Sequence, residues 1–217
     1  MEKILIPYSQ AKTLIEEGDV LLFSGTSLVS RLIKRASEGD YSHVGIASWH
    51  NGSRKADALL ECVEFSEQHG GRSLNMDVYV KNDKRRIDVF RPIPSFSNIE
   101  FDHKTLTTTH VKNKFDAKSV TRSMRELTGL PYGWKRILWI AKHKLPILRL
   151  FYSVDSIVKD GNGKKDIIYP VCSTSIAHAF SKSGADLVYH RSDEWTEPSD
   201  IARSTRLNYL FTLDKDE

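Results

Sequence analysis

Cys172 opens the segment VCSTSIAHAFSKSG, in which Ile176, Ala177, Ala179 and Phe180 share one helical face and Gly184 supplies a stop. A cysteine in the first turn of a helix meets unpaired backbone N–H groups and the positive end of the helix dipole, and both favour a thiolate. Those same N–H groups, including that of Cys172, can hold the oxyanion that develops on an attacked carbonyl. The chemistry that follows is acyl transfer through a thioacyl intermediate.

Such a nucleophile needs a base. Of the eight histidines, His43 alone begins an apolar strand directly after a loop. In SHVGI the alternation of a strand sends His43, Gly45 and Ala47 to one side, with small neighbours that predict an open site in front of the imidazole. Glu61 lies within ALLECVEF among apolar neighbours, where an ionised carboxylate is costly unless paired. Its expected partner is His43 across a hairpin, and Glu64 is a rival for the same role. Cys62 sits mid-strand beside Glu61, points to the opposite face, gains nothing from a helix dipole, and reads as core.

Taken singly, each residue has a blander explanation. Free cysteine is among the most buried residue types, and a lone strand histidine is more often structural than catalytic. Three residues that fit one site together shift the balance toward chemistry.

The surrounding pattern supplies the elements. SQAKTLIEEGD predicts a short helix, DVLLF a strand at 19–23, and LVSRLIKRASEG a helix with Leu28, Val29, Leu32, Ile33 and Ala36 on one face and Arg31, Lys34 and Arg35 opposite. Residues 42–49 and 58–65 read as an antiparallel hairpin across HNGSRKAD, and 86–92 as a third strand ending at Pro92, after which PIPSFSN is a loop. HGGR at 69–72 reads as a turn or a loop near the cleft. From about residue 100 the pattern is helical: KSVTRSMRELTGL, then GWKRILWIAKHKLPILRLFYSV interrupted at Pro146, then the loop KDGNGKKD. A last strand is expected at NYLFTL. The fold class is α+β, a small antiparallel sheet with packed helices and the nucleophile at a helix N-terminus.

At 217 residues with 40% hydrophobic content the chain can bury a full core as one domain spanning 1–217, with an elaboration within 66–165. The 32 basic residues against 28 acidic ones make a mixed surface and argue against nucleic acid as partner. Two cysteines give neither a disulfide framework nor a zinc-type spacing, and the proposed chemistry needs no metal or organic cofactor. The first twenty residues contain no run of signal-peptide type and no stretch reaches the length of a membrane span, so a cytoplasmic location is expected. GWKRILWIAKHKLPILRLFY interleaves Trp134, Leu138, Trp139 and Ile147 with Lys135, Arg136, Lys142, Lys144 and Arg149, a pattern compatible with peripheral membrane contact, although a helix packed on the domain explains it more simply.

GDVLLF, SHVGI, LLECVEF, VCSTSIAHAF and EPSDIARS together resemble the circularly permuted branch of the NlpC-type papain-like superfamily, which includes YiiX-like and lecithin:retinol acyltransferase-like proteins and a poxvirus group. The resemblance covers the first 65 residues and about 168–205. It implies a nucleophile at Cys172, a base at His43 and an orienting residue at Glu61, in permuted order. It also implies an aromatic near the nucleophile at Tyr132 and a Pro-Ser-Asp stretch at Pro198, Ser199 and Asp200. Tyr132 and Ser173 are the candidates for substrate contact. Its members suggest a peptidase or amidase, cell-wall peptides included, or a lipid-directed acyltransferase or thioesterase, so the expected partner is a peptide or lipid substrate. A binding module with a vestigial triad is the competing class. A bacterial, viral or phage origin fits equally.

Overall fold

Glycine and aspartate at positions 18 and 19 open the central strand, and both are fixed by backbone geometry. Gly18 has φ +86°, a left-handed conformation that favours glycine. The buried Asp19 carboxylate accepts the Glu16 N–H at 2.8 Å and two N–H groups of Arg91 at 2.9 and 2.8 Å. GD thereby turns the chain from the first helix into the sheet.

The computed structural model describes residues 3–50, 58–102, 104–133 and 171–215. Nine strands and six α-helices are formed by these residues. The strands are β1 (Leu5–Pro7), β2 (Val20–Ser24), β3 (His43–His50), β4 (Leu59–Ser66), β5 (Gly70–Asn75), β6 (Arg86–Pro92), β7 (Ser95–Asp102), β8 (Thr107–Lys114) and β9 (Leu207–Asp214). The helices are α1 (Tyr8–Leu14), α2 (Leu28–Ala36), α3 (Met76–Asn82), α4 (Ala117–Glu126), α5 (Cys172–Lys182) and α6 (Pro198–Ala202).

Seven strands form one sheet in the order β1-β9-β6-β2-β3-β4-β5, with β1 and β9 parallel and every other pair antiparallel. The expected small antiparallel sheet is therefore corrected to a larger mixed one. Its strands read as near-continuous apolar runs because both faces are covered. Val20, Leu22, Val44, Ile46, Val63 and Phe65 pack with Val120 and Met124 of α4, with Ile176, Ala179 and Phe180 of α5, and with Ile201 of α6. Leu21, Phe23, Ala47, Leu60 and Cys62 pack on the other side with Ala11 of α1 and Met76, Tyr79 and Val80 of α3. Each large side chain so buried contributes about 1.5–3 kcal/mol of transfer free energy.

Three further expectations are corrected. Ser95–Asp102 and Thr107–Lys114 pair as a separate two-stranded sheet, β7–β8, where a loop and then helix were expected. Gly70 and Gly71 belong to β5 rather than to a turn. Within the span read as an elaboration, β6 lies between β9 and β2 in the sheet. The interrupted helix around Pro146, with its pattern for peripheral membrane contact, and the loop KDGNGKKD lie outside the described residues. No described helix is long and apolar enough to cross a membrane.

Candidate active site

The first turn of α5 begins at Cys172, after Val171 in extended conformation. Thr174 Oγ1 accepts the Val171 N–H at 2.9 Å, and the first N–H bonded within the helix is that of Ser175, to the Val171 carbonyl at 3.0 Å. The Cys172 N–H therefore has no partner within the helix and points out of its first turn. Ser173 is buried in the same turn.

His43 starts β3, opposite Phe23 in the register, and its ring centroid lies 5.2 Å from that of Phe23. Its Nε2 is 2.6 Å from Glu64 Oε2. Cys172 is close enough to act on the imidazole, and with Nε2 engaged by Glu64 the ring nitrogen left for it is Nδ1. Cys172 belongs to the core under α5, whereas Phe23 and Tyr79 belong to the opposite core, so the contact joins the two layers at the beginning of β3. His43 does not face an open site: it is 6% exposed and Cys172 5%.

The carboxylate that holds His43 is Glu64 and not Glu61. Glu64 lies opposite Gly45, on the same face as Cys62, and is fully buried. Its Oε2 accepts from His43 and from the Tyr79 hydroxyl at 2.7 Å, while Oε1 accepts from Arg72 Nε at 2.8 Å. A buried carboxylate requires this saturation. Beneath it, Tyr79 accepts from Arg85 at 2.6 Å, and the Arg85 guanidinium lies 4.8 Å from the centre of the Phe23 ring. Glu61 is opposite Ser48, on the β4 face shared with Val63, and its carboxylate accepts from Arg125 at 2.5 Å. It is excluded from His43 by strand alternation.

These contacts set the charges. Burial is the strongest influence on His43 and pulls its pKa down, but the charges of Glu64 and Cys172 and the hydrogen bonds to both outweigh it, leaving it raised to about 9. Burial likewise opposes ionisation of Glu64, and the His43 charge with the His43, Tyr79 and Arg72 contacts overcomes it, lowering its pKa to about 2. An imidazolium–carboxylate pair at neutral pH is the result. Burial and then the Glu64 charge push the Cys62 thiol well up, so Cys62 is a poor nucleophile. Its Sγ covers Gly45: a Cβ there would lie 2.5 Å from that sulfur.

Tyr132 meets Cys172 twice, accepting from its backbone N–H and donating to its sulfur. Burial first, then the Cys172 and Glu67 charges, raise the phenol far above its ordinary range. The segment that carries it is seated on β5: Gly71 N–H donates to the Leu130 carbonyl at 2.9 Å, and Gly129 N–H to the Gly71 carbonyl at 2.8 Å. A Cβ on Gly70 or Gly71 would collide with the Leu130 or Leu127 carbonyl oxygen. HGGR is therefore the seat of the Tyr132 segment. In the sequence, Gly-Gly followed by a second Gly-containing run was the available signal. Asp200, by contrast, is structural, accepting the Glu197 N–H at 3.0 Å and pairing with Arg191 at 2.6 Å.

The structure thus joins Cys172, His43 and Tyr132, all named from the sequence, replaces Glu61 by Glu64, and adds Arg72 and Tyr79. The arrangement sets a cysteine sulfur, an imidazole and a buried carboxylate in sequence. Among the described residues no group of three or more His, Cys, Asp or Glu side chains could hold a metal ion.

No protein-family model matches the chain, and no curated protein matches it. Among solved structures, it is similar to the metalloprotein YiiX from Escherichia coli O157:H7, with 13% identity over 90% of this chain and 96% of that one and a TM-score of 0.45.

Proposed function

We propose that the chain is a cysteine-dependent hydrolase of amide or ester bonds, with a Cys172–His43–Glu64 triad. The observation that carries this reading is the chain of contacts from the sulfur through the imidazole to a fully saturated carboxylate. The Cys172 thiolate attacks the carbonyl carbon, and the carbonyl π pair moves to oxygen, where the Cys172 N–H and the Tyr132 hydroxyl stabilise it after exchanging their contacts with each other and with the sulfur for the oxyanion. As the tetrahedral species collapses, the bond to nitrogen or oxygen breaks and the His43 imidazolium gives its proton to the leaving group. Neutral His43 then takes a proton from water as it attacks the thioester, and the acid leaves with the thiolate restored. Glu64 stays ionised throughout and orients the ring.

A lipid-directed acyltransferase would share the first half-reaction and differ in its acceptor. The exposed apolar and basic helix α2 is the observation that favours this second reading.

Alkylation by iodoacetamide followed by peptide mass mapping tests the nucleophile, and a panel of peptide amides and acyl esters tests turnover. At pH 7, Cys172 should be labelled far faster than Cys62, and Cys172→Ala should abolish turnover with an unchanged circular dichroism spectrum. An inert Cys172 in the folded protein would favour the binding-module reading instead, and turnover retained by Cys172→Ala would overturn the assignment.

A further inference from the structure

Helix α2 turns two leucines of its apolar face to solvent, while Ile33 and Ala36 are half-buried. Leu28 and Leu32, one turn apart on the same side, are 71% and 60% exposed. Among the described side chains, none of α2 joins either hydrophobic core. The helix is firmly started, since Ser27 Oγ accepts the Ser30 N–H at 3.1 Å, so the exposure belongs to a formed helix and not to a frayed end.

Charge is distributed just as unevenly. LVSRLIKRA carries Arg31, Lys34 and Arg35 and no acid. At 100° per residue, Arg31 and Arg35 flank Leu28 and Leu32 on one side, and neither makes an ion pair among the described residues. Among the described residues the Lys34 ammonium reaches only the Ser24 hydroxyl, at 3.4 Å. Cations in the last turn suit the helix dipole, but that does not explain two bare leucines beside them.

We propose that α2 docks the protein on anionic lipid surfaces, with Leu28 and Leu32 entering the acyl boundary and Arg31, Lys34 and Arg35 at the headgroups. Apolar residues edged by unpaired cations, with no acid in the helix, match a membrane plane of negative charge. The segment 37–42 joins α2 to His43, so docking would bring the start of β3 toward the lipid. The proposal stands independently of turnover at Cys172.

Sedimentation of the full chain with vesicles of phosphatidylcholine alone, and of phosphatidylcholine mixed with phosphatidylserine, provides the test. Wild type should pellet with the mixed vesicles and lose binding as salt rises. Arg31→Glu/Arg35→Glu should weaken partition by at least about thirtyfold, from roughly 1 kcal/mol per cation near an anionic surface. Leu28→Ser/Leu32→Ser should weaken it by on the order of tenfold or more. Thermal unfolding of both variants should match wild type, because the altered side chains are exposed. Cys172→Ala should bind vesicles as wild type does even if it abolishes turnover, which separates this proposal from the catalytic one. Absent binding, equal binding to both vesicle types, or binding untouched by the leucine pair would overturn the proposal. So would lipid-independent self-association that Leu28→Ser/Leu32→Ser abolishes, since the face would then join two copies of the chain.

Discussion

His43 and Glu64 are not cross-strand partners, yet their side chains meet at 2.6 Å. Glu64 is opposite Gly45, two residues further along β3, and the missing side chain at Gly45 clears the diagonal between them. The pairing makes Glu64 the orienting carboxylate. Glu64→Gln should therefore lower kcat by on the order of a hundredfold or more, because an amide neither stabilises the imidazolium nor fixes the same tautomer. Glu61→Gln should leave kcat within about twofold and cost at most about 1 kcal/mol, since it loosens only a partly exposed pair with Arg125. Steady-state kinetics with urea unfolding of both variants checks this, and the reverse ranking would return the role to Glu61.

The same pair predicts how stability follows pH. Glu64 has its pKa lowered to about 2 in the folded protein, so its contribution is complete above the unfolded value near 4.5 and is lost as pH falls toward 2. His43 is raised to about 9, so its contribution is complete below the unfolded value near 6.5 and disappears as pH rises through 9. Urea midpoints measured across this range should fall at both ends, and the alkaline fall should be smaller in Glu64→Gln, which removes one of the charges that hold the proton on His43. The kcat/KM of an active preparation should decline over the same alkaline interval. A flat midpoint between pH 6.5 and 9.5 would mean that His43 is not held as an imidazolium.

How much of this was legible depended on which faces were covered. Strands β2, β3, β4 and β6 and helices α4 and α5 announce themselves because a strong apolar pattern has to be buried. The hairpin β7–β8 does not: TTTHVKNK is polar and largely exposed, so no periodic signal marks it. Strand β5 begins with two glycines, which read as a turn, although close packing of the 127–130 backbone is what requires them. The choice between Glu61 and Glu64 needed the register of β3 on β4, and residues three apart fall on opposite faces of a strand. Apolar alternation fixes that ladder only when both cores are known, because residues on both faces are buried.

Gly45 offers the sharpest test of that register. An alanine Cβ at 45 would lie 2.5 Å from Cys62 Sγ and 3.3 Å from Glu64 Cβ, so Gly45→Ala should destabilise by about 1–3 kcal/mol through overpacking and displace the carboxylate from His43. The lower entropy of the unfolded alanine chain offsets about 0.4–1 kcal/mol of this at most. Cys62→Ala removes the obstructing sulfur and leaves Cys172 as the single thiol, at a cost of about 1 kcal/mol for the space it opens. The two changes should therefore couple: Gly45→Ala/Cys62→Ala should be more stable than Gly45→Ala alone, and Cys172 alkylation should recover with it. A double-mutant cycle in urea, read alongside the iodoacetamide rate, measures both quantities. Strict additivity would place the Cys62 sulfur away from Gly45 and remove the physical basis for the diagonal His43–Glu64 contact.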